Sequence, residues 1–214
     1  MITTVVSDLG GVLTTPLLDA FVAYSEHCGV ELMEFWTAMG RLTEDRGSNP
    51  MADLEVGHIT EPEFIDLLGG QIARQLGRPV DITDFSRVWF SHLLPNEPML
   101  GLMSELRDRG LRMGLLTNNV REWEPLWRPR LPIDEIFGVI VDSGFVGLRK
   151  PDPAIYRLTQ ERLAVAAEEI LFIDDMEVNI TAASAAGWQT VQFETNDQAI
   201  PEIRAALAPA PETA

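Results

Sequence analysis

Five short apolar runs, set apart by longer helical patterns, constrain this chain more than any other feature. They are "ITTVVS" (2–7), "LRMGLL" (111–116), "GVIV" (138–141), "ILFI" (170–173) and "WQTVQF" (188–193). They look like buried parallel strands. From residue 98 onward they alternate with helical segments, which is the pattern of an α/β fold with a parallel sheet. In such sheets the reacting groups gather beyond the carboxyl ends of the strands. The residues just after each run are therefore the ones to read for chemistry.

Between the first and second runs lie roughly 85 residues, far more than an ordinary crossover. They read as helices. Thr15 is placed to cap a first helix with Pro16 in its first turn, and Leu17, Phe21, Tyr24 and Cys28 mark one face until Gly29. A second helix runs from Glu31 toward Asp45. Thr60 and Glu63 form a capping box for a third, which ends near Gly77. A fourth covers about 83–90. The expected organisation is an α/β core of residues 1–14 plus 99–207, a helical insertion of 15–98 beside the strand ends, and a frayed tail, "APAPETA", at 208–214.

Composition narrows the partners. The chain has 214 residues and a formal charge of −17, which repels nucleic acid and anionic lipid. One cysteine, Cys28, allows no internal disulfide and fits a reducing, cytoplasmic setting. No stretch approaches the roughly 18 apolar residues of a membrane span, and no basic leader opens the chain. Oligomeric state is not legible.

The first run ends at Asp8, followed by Gly10 and Gly11; the second at "TNN" (117–119); the fourth at Asp174 and Asp175. Lys150 precedes "PDP" between the third and fourth runs. If the strands are parallel neighbours, these groups converge on one site. Carboxylates from separate loops suit a hard cation such as Mg²⁺. A carboxylate approaching a phosphate dianion meets repulsion of about 4 kcal/mol per unit pair at 4 Å and an effective dielectric near 20. A divalent cation and Lys150 would offset it, with the Thr117 hydroxyl orienting phosphoryl oxygens. Asp8 would then attack phosphorus and form an aspartyl-phosphate. Asn179, five residues past Asp174, reads equally well as a site-orienting group or a plain polar helix position. Ala182, Ala183, Ala185 and Ala186 read as close helix–sheet packing. Trp123 and Trp127 read as one packed helical face.

Four of these segments in this order, "VVSDLGGVLT", "LLTNN", "GLRKPDPAIY" and "LFIDDMEVN", resemble the haloacid dehalogenase superfamily. The likeness is to its phosphatase-like members with a helical cap inserted after the first strand. "GHIT" (57–60) and "VGLRKPDPAIYRL" (146–158) are similar to the branch that includes the phosphatase domain of soluble epoxide hydrolases. The resemblance implies a Rossmann-like core and a Mg²⁺-dependent phosphoric monoester hydrolase acting on a small-molecule phosphate. It implies Asp8 as nucleophile and Mg²⁺ ligand, and Asp174, Asp175 and the Gly10 carbonyl as further ligands. It assigns Thr117, Asn118 and Gly11 to the phosphoryl group and Lys150 to its neutralisation.

The chain departs from that pattern at Gly10, where most such phosphatases carry a second carboxylate that protonates the leaving oxygen. Loss of general acid–base help costs ~10²–10⁴-fold, so weakly basic leaving groups should suffer least. Asp19, Glu55, His58 and His92 are candidate replacements in or near the insertion. Two other functions compete. A 2-haloacid dehalogenase needs no leaving-group acid, but the paired acids Asp174 and Asp175 argue against it. A catalytically weak phosphate-binding protein is the other, and Gly10 is the feature in its favour. A receiver-type signalling domain is disfavoured because its paired acids would follow the first strand.

Overall fold

A computed structural model of the chain describes residues 1–208; all of the tail expected to fray except Ala208 lies outside the described residues. The five strands are β1 (Thr4–Ser7), β2 (Arg112–Thr117), β3 (Val139–Asp142), β4 (Ile170–Asp174) and β5 (Gln189–Gln192). All neighbours pair in parallel, in the order β3-β2-β1-β4-β5. β1 is thus central, flanked by the two strands whose tips carry Thr117 and Asp174. The strands are one to two residues shorter than the apolar runs at several ends. The run at 2–7, for instance, is paired only from Thr4.

Among the described residues there are twelve α-helices. Between β1 and β2 lie α1 (Leu17–Cys28), α2 (Leu32–Arg46), α3 (Pro50–Glu55), α4 (Glu61–Leu76), α5 (Phe85–His92) and α6 (Glu97–Asp108). Between β2 and β3 are the single turns α7 (Glu124–Trp127) and α8 (Ile133–Ile136). α9 (Ser143–Val146) and α10 (Pro153–Leu163) precede β4, α11 (Glu177–Ala185) precedes β5, and α12 (Asn196–Ala206) follows it.

Strand alternation puts successive side chains on opposite faces of the sheet. Val5, Leu115, Leu171 and Ile173 point into the cluster shared with α6 and α12. Val6, Leu116, Ile170 and Phe172 point to the other face, where Ile155 and Tyr156 of α10 and Ala183 of α11 close over them with Trp188. Over the inner strands β1, β2 and β4 both faces are dry apart from Arg112, whereas the edge strand β5 leaves Gln189 exposed. The two connections into the helical insertion run side by side: Thr15 donates its N–H to the Leu94 carbonyl, and Asn96 donates to that of Leu13. A bridge joins Thr14 to Pro95.

Several local expectations are corrected. Thr15 does not cap α1. Pro16 takes that position, and the Thr15 hydroxyl instead accepts the Leu94 N–H at 3.1 Å. Of the expected buried face of α1, Tyr24 is fully buried, Phe21 and Cys28 are half-buried and Leu17 is exposed. α3 has no counterpart in the sequence reading; it is short, and Asn49 starts it by accepting from the Met51 and Ala52 amides. Trp123 and Trp127 do not share a helix, since residues 121–123 form a separate tight turn, yet both indoles are buried in packing. Of the four alanines only Ala183 is fully buried, and Ala185 faces solvent. The capping box at Thr60 and Glu63 forms as expected.

Candidate active site

Parallel order brings the tips of β1 and β4 together, and with them the carboxylates. Asp8 donates its backbone N–H to the Ile173 carbonyl at 2.9 Å, which locks the two tips in register. Oxygen atoms of Asp8, Asp174 and Asp175 all lie within 4.8 Å of one another. Asp8 and Asp174 are buried and Asp175 half-buried.

Lys150 enters this cluster from the loop before α10. Its Nζ is 2.8 Å from Asp8 Oδ1 and 2.6 Å from Asp174 Oδ2, and the side chain is 1% exposed. It also lies over the Phe172 ring. Such burial of a lysine is tolerable only because two carboxylates meet it. Burial pulls the ammonium pKa down, but the Asp8 and Asp174 charges more than compensate and hold it above the ordinary lysine value. The loop itself is fixed by a reciprocal pair of bonds. Lys150 N–H donates to Asn118 Oδ1 at 2.8 Å, and Asn118 Nδ2 donates to the Lys150 carbonyl at 2.9 Å. The Asn118 side chain is thus engaged with the lysine's own backbone, at the tip of β2 beside the buried Thr117.

Asp174 is the most constrained acid. Its Oδ1 accepts from the Met176 N–H at 2.8 Å, and Asn179 Nδ2 reaches both oxygens at 2.9 and 3.1 Å. Asn179 in turn is braced by Tyr156, whose hydroxyl donates to its carbonyl at 3.0 Å. Asn179 therefore fixes the Asp174 carboxylate; the sequence signal was a polar residue in the first turn of the helix after the paired acids. Burial raises the pKa of both Asp8 and Asp175 above the usual carboxylate range, Lys150 opposing and Asp174 adding to the shift in each. Three carboxylates here face one ammonium.

The two glycines differ. Gly11 has φ +78°, and a Cβ there would stand 2.6 Å from Asp175 Oδ2, so only glycine leaves room for that acid. The Gly11 N–H donates to Thr14 Oγ1 at 3.1 Å. Gly10 has no such backbone demand; a Cβ there would meet Leu17 Cδ2 at 3.0 Å. The first side chain of α1 therefore stands over the place where a second carboxylate would begin.

Of the four groups considered as replacement acids, Asp19, His58 and His92 are exposed. Glu55 is not. Its Oε2 is 2.6 Å from Arg149 Nε, beside Lys150. Burial raises its pKa, opposed by Arg149 and by Lys150. Arg149–Glu55 is the one ion pair, among the described residues, that joins α1–α5 to the rest of the molecule. No sequence pattern pointed to a contact between residues so far apart in the chain.

The sequence model of haloacid dehalogenase-like hydrolases matches residues 2–187. The chain belongs to this family. Among its relatives, acyl-CoA dehydrogenase family member 10 of Mus musculus is 28% identical over 75% of this chain, a stretch that spans only 15% of the mouse protein. Bifunctional epoxide hydrolase 2 of Rattus norvegicus is 24% identical over 92% of this chain and 37% of its own length. A sesquiterpene phosphatase of Aspergillus oryzae is 28% identical over 84% of both chains. Among solved structures, a HAD-like family hydrolase from Porphyromonas gingivalis superposes with a TM-score of 0.74 at 24% identity, covering 98% of this chain and 100% of its own. A HAD family enzyme from Bacteroides thetaiotaomicron, in complex with magnesium and inorganic phosphate, superposes at 0.67 and 23% identity, covering 91% of this chain and 95% of its own. Among the described residues no helix is long and apolar enough to cross a membrane.

Proposed function

We propose that this hydrolase is a Mg²⁺-dependent phosphoric monoester hydrolase for small phosphorylated metabolites, working through a phosphoryl group carried on Asp8. The observation that supports it most is the convergence of Asp8, Asp174 and Asp175 within 4.8 Å around the Lys150 ammonium. The donor set fits a hard divalent cation: every donor is an oxygen, and three acids exceed what one lysine balances. Asp8, Asp174, Asp175 and the Gly10 carbonyl would hold it; once bound it would balance the acids and draw charge from the phosphoryl oxygens. The phosphatase relative and the magnesium–phosphate complex of the structural neighbour support the same reading.

In this reading a carboxylate oxygen of Asp8 attacks phosphorus while the bond from phosphorus to the ester oxygen breaks. The leaving oxygen takes that electron pair and draws its proton from solvent, since Gly10 offers none. Water then attacks the aspartyl-phosphate at phosphorus, releasing inorganic phosphate and restoring Asp8. Lys150 neutralises the phosphoryl group, Thr117 supplies a hydroxyl to its oxygens, and Asn118 holds the lysine loop against the β2 tip. Gly11 leaves space for Asp175. Residues 15–98 form the cap over the site, with 1–14 and 99–207 as the catalytic unit.

Acyl, aryl and anomeric phosphates, whose leaving groups are weak bases, should turn over fastest. The test is a phosphate-release screen over varied leaving groups, with Mg²⁺ or EDTA and with Asp8→Asn as control. Release that requires Mg²⁺ and Asp8 supports the reading. Chloride release from 2-chloropropionate in EDTA would replace it with a dehalogenase.

A further inference from the structure

We propose that the cavity between α7 and the tip of β3 is a second, non-catalytic binding site. Its ligand would be a neutral molecule with a nucleobase-type ring whose edge carries an N–H beside a carbonyl. The cavity measures about 290 Å³ and shares no residue with the acid cluster. Trp127, Ile140, Asp142, Phe145 and Val146 are among its walls.

Two buried polar atoms of these residues have no hydrogen-bond partner among the described residues: an acceptor, Asp142 Oδ2, and a donor, Trp127 Nε1. The two residues are 5% and 3% exposed. Native folds seldom leave such groups unmatched, because each costs stability until something bonds to it. The carboxylate is held in place, since its other oxygen accepts the Gly144 N–H at 2.9 Å. Arg128, which also lines the cavity, is committed to Glu124 and Asp134.

A ligand that answers both atoms offers a donor to Asp142 and an acceptor to the indole. Phe145 adds a shape. Its ring is 47% exposed, with the Arg121 guanidinium 5.2 Å from its centroid, and the remaining surface suits a flat ring. A donor beside an acceptor on the edge of a flat ring is what a nucleobase presents. A simple amine would leave the indole N–H unmatched. The formal charge of −17 favours a neutral compound over a phosphate-bearing one. The cavity also lies close to the chemistry without being part of it. Asp142 pairs in register with Thr117, and Ser143 Oγ both accepts the Asn119 N–H and donates to the Asn119 carbonyl, each at 2.9 Å. Trp127 borders a second, smaller cavity of about 160 Å³ beside Leu9 and Phe90, but no carboxylate lines that one.

The test is titration of the ¹⁵N-labelled protein with inosine and with uridine at pH 8, following the indole N–H signals of its five tryptophans. Trp127→Phe identifies the signal of interest, which should shift saturably. Asp142→Asn keeps the Gly144 bond but turns the free acceptor into a donor. It should weaken binding about tenfold or more, and 1-methylinosine, which lacks the ring N–H, should lose as much on the wild-type protein. Asp8→Asn, and inorganic phosphate with Mg²⁺, should leave the Kd unchanged. The absence of a saturable shift with both nucleosides overturns the proposal. So does a shift that Asp142→Asn leaves intact, which would point to the smaller cavity, or one that phosphate with Mg²⁺ displaces, which would point to the catalytic pocket. A shift with ethylamine and none with the nucleosides assigns the cavity to a cation and also overturns it.

Discussion

At the strand tips Asp8, Lys150 and Asp174 hold one another. Lys150 lies between Asp8 and Asp174, Asp174 takes three further donor contacts from Met176 and Asn179, and Asn118 clamps the lysine's own peptide. On the outer face of α1 and α2 the opposite holds. Large apolar side chains stand in solvent with little to meet except one another. The first region comes from four segments brought together by sheet order, and the second from two helices adjacent in sequence. The chemistry proposed above would sit at the tips of the sheet, while the exposed apolar side chains sit on helices attached through two adjacent connections. The two can vary independently.

The largest test of this contrast is Asp8→Asn. Turnover should fall on the order of 10⁴-fold, while the metal-free protein should melt no lower than wild type, because one buried charge has been removed. Steady-state assay and calorimetry read the two effects; retained turnover would break the assignment. Lys150→Met should act on stability instead. It leaves buried acids unpaired and should cost about 3–5 kcal/mol in urea unfolding, with Mg²⁺ recovering part of the loss. Gly10→Asp links the two regions. It should raise turnover of alkyl phosphates by about 10-fold or more over aryl ones, and further when combined with Leu17→Ala, which clears the new side chain. An equal or smaller gain on alkyl esters would contradict the missing-acid account.

A buried acid with no lysine gives a smaller effect. Burial raises the Asp142 carboxyl to about 6, the Gly144 N–H opposing, and one oxygen has no partner. The folded state then binds this proton more tightly than the unfolded state. Its charge costs stability that is fully present above about pH 6 and absent below about pH 4. Asp142→Asn keeps an acceptor for Gly144 and should stabilise by about 1–2 kcal/mol at pH 8, with the gain gone at pH 4. Thermal melts at the two pH values check the sign. Smallest of all, Leu18→Ser should shift stability by less than about 0.5 kcal/mol, since the side chain is not part of the core.

What could be read in advance follows from the range of the forces involved. Buried parallel strands announce themselves through short apolar runs, so Asp8, Thr117 and the Asp174–Asp175 pair could be located before any contact was known; Lys150 came from the likeness of "GLRKPDPAIY" to a family motif. Local capping chemistry was legible at Thr60 and Glu63 because both partners lie within one turn. It misled at Thr15, whose hydroxyl answers an amide 79 positions away instead. The Arg149–Glu55 pair, the double contact from Asn179 and the placement of Leu17 over Gly10 depend on how helices settle on the sheet. Periodicity does not encode that. Leu17 in particular fitted an apolar helical face, yet its part of the face turns outward.

The account rests on a side-chain oxygen of Asp8 becoming covalently phosphorylated during turnover. Acid-quenching the enzyme while it hydrolyses an aryl phosphate in Mg²⁺, then mapping peptides by mass spectrometry, reads this directly. The account predicts one added phosphoryl group on the peptide bearing Asp8, absent in Asp8→Asn and in EDTA. Phosphate release at full rate with that peptide unmodified at every time point, or with the label on another residue, would contradict it.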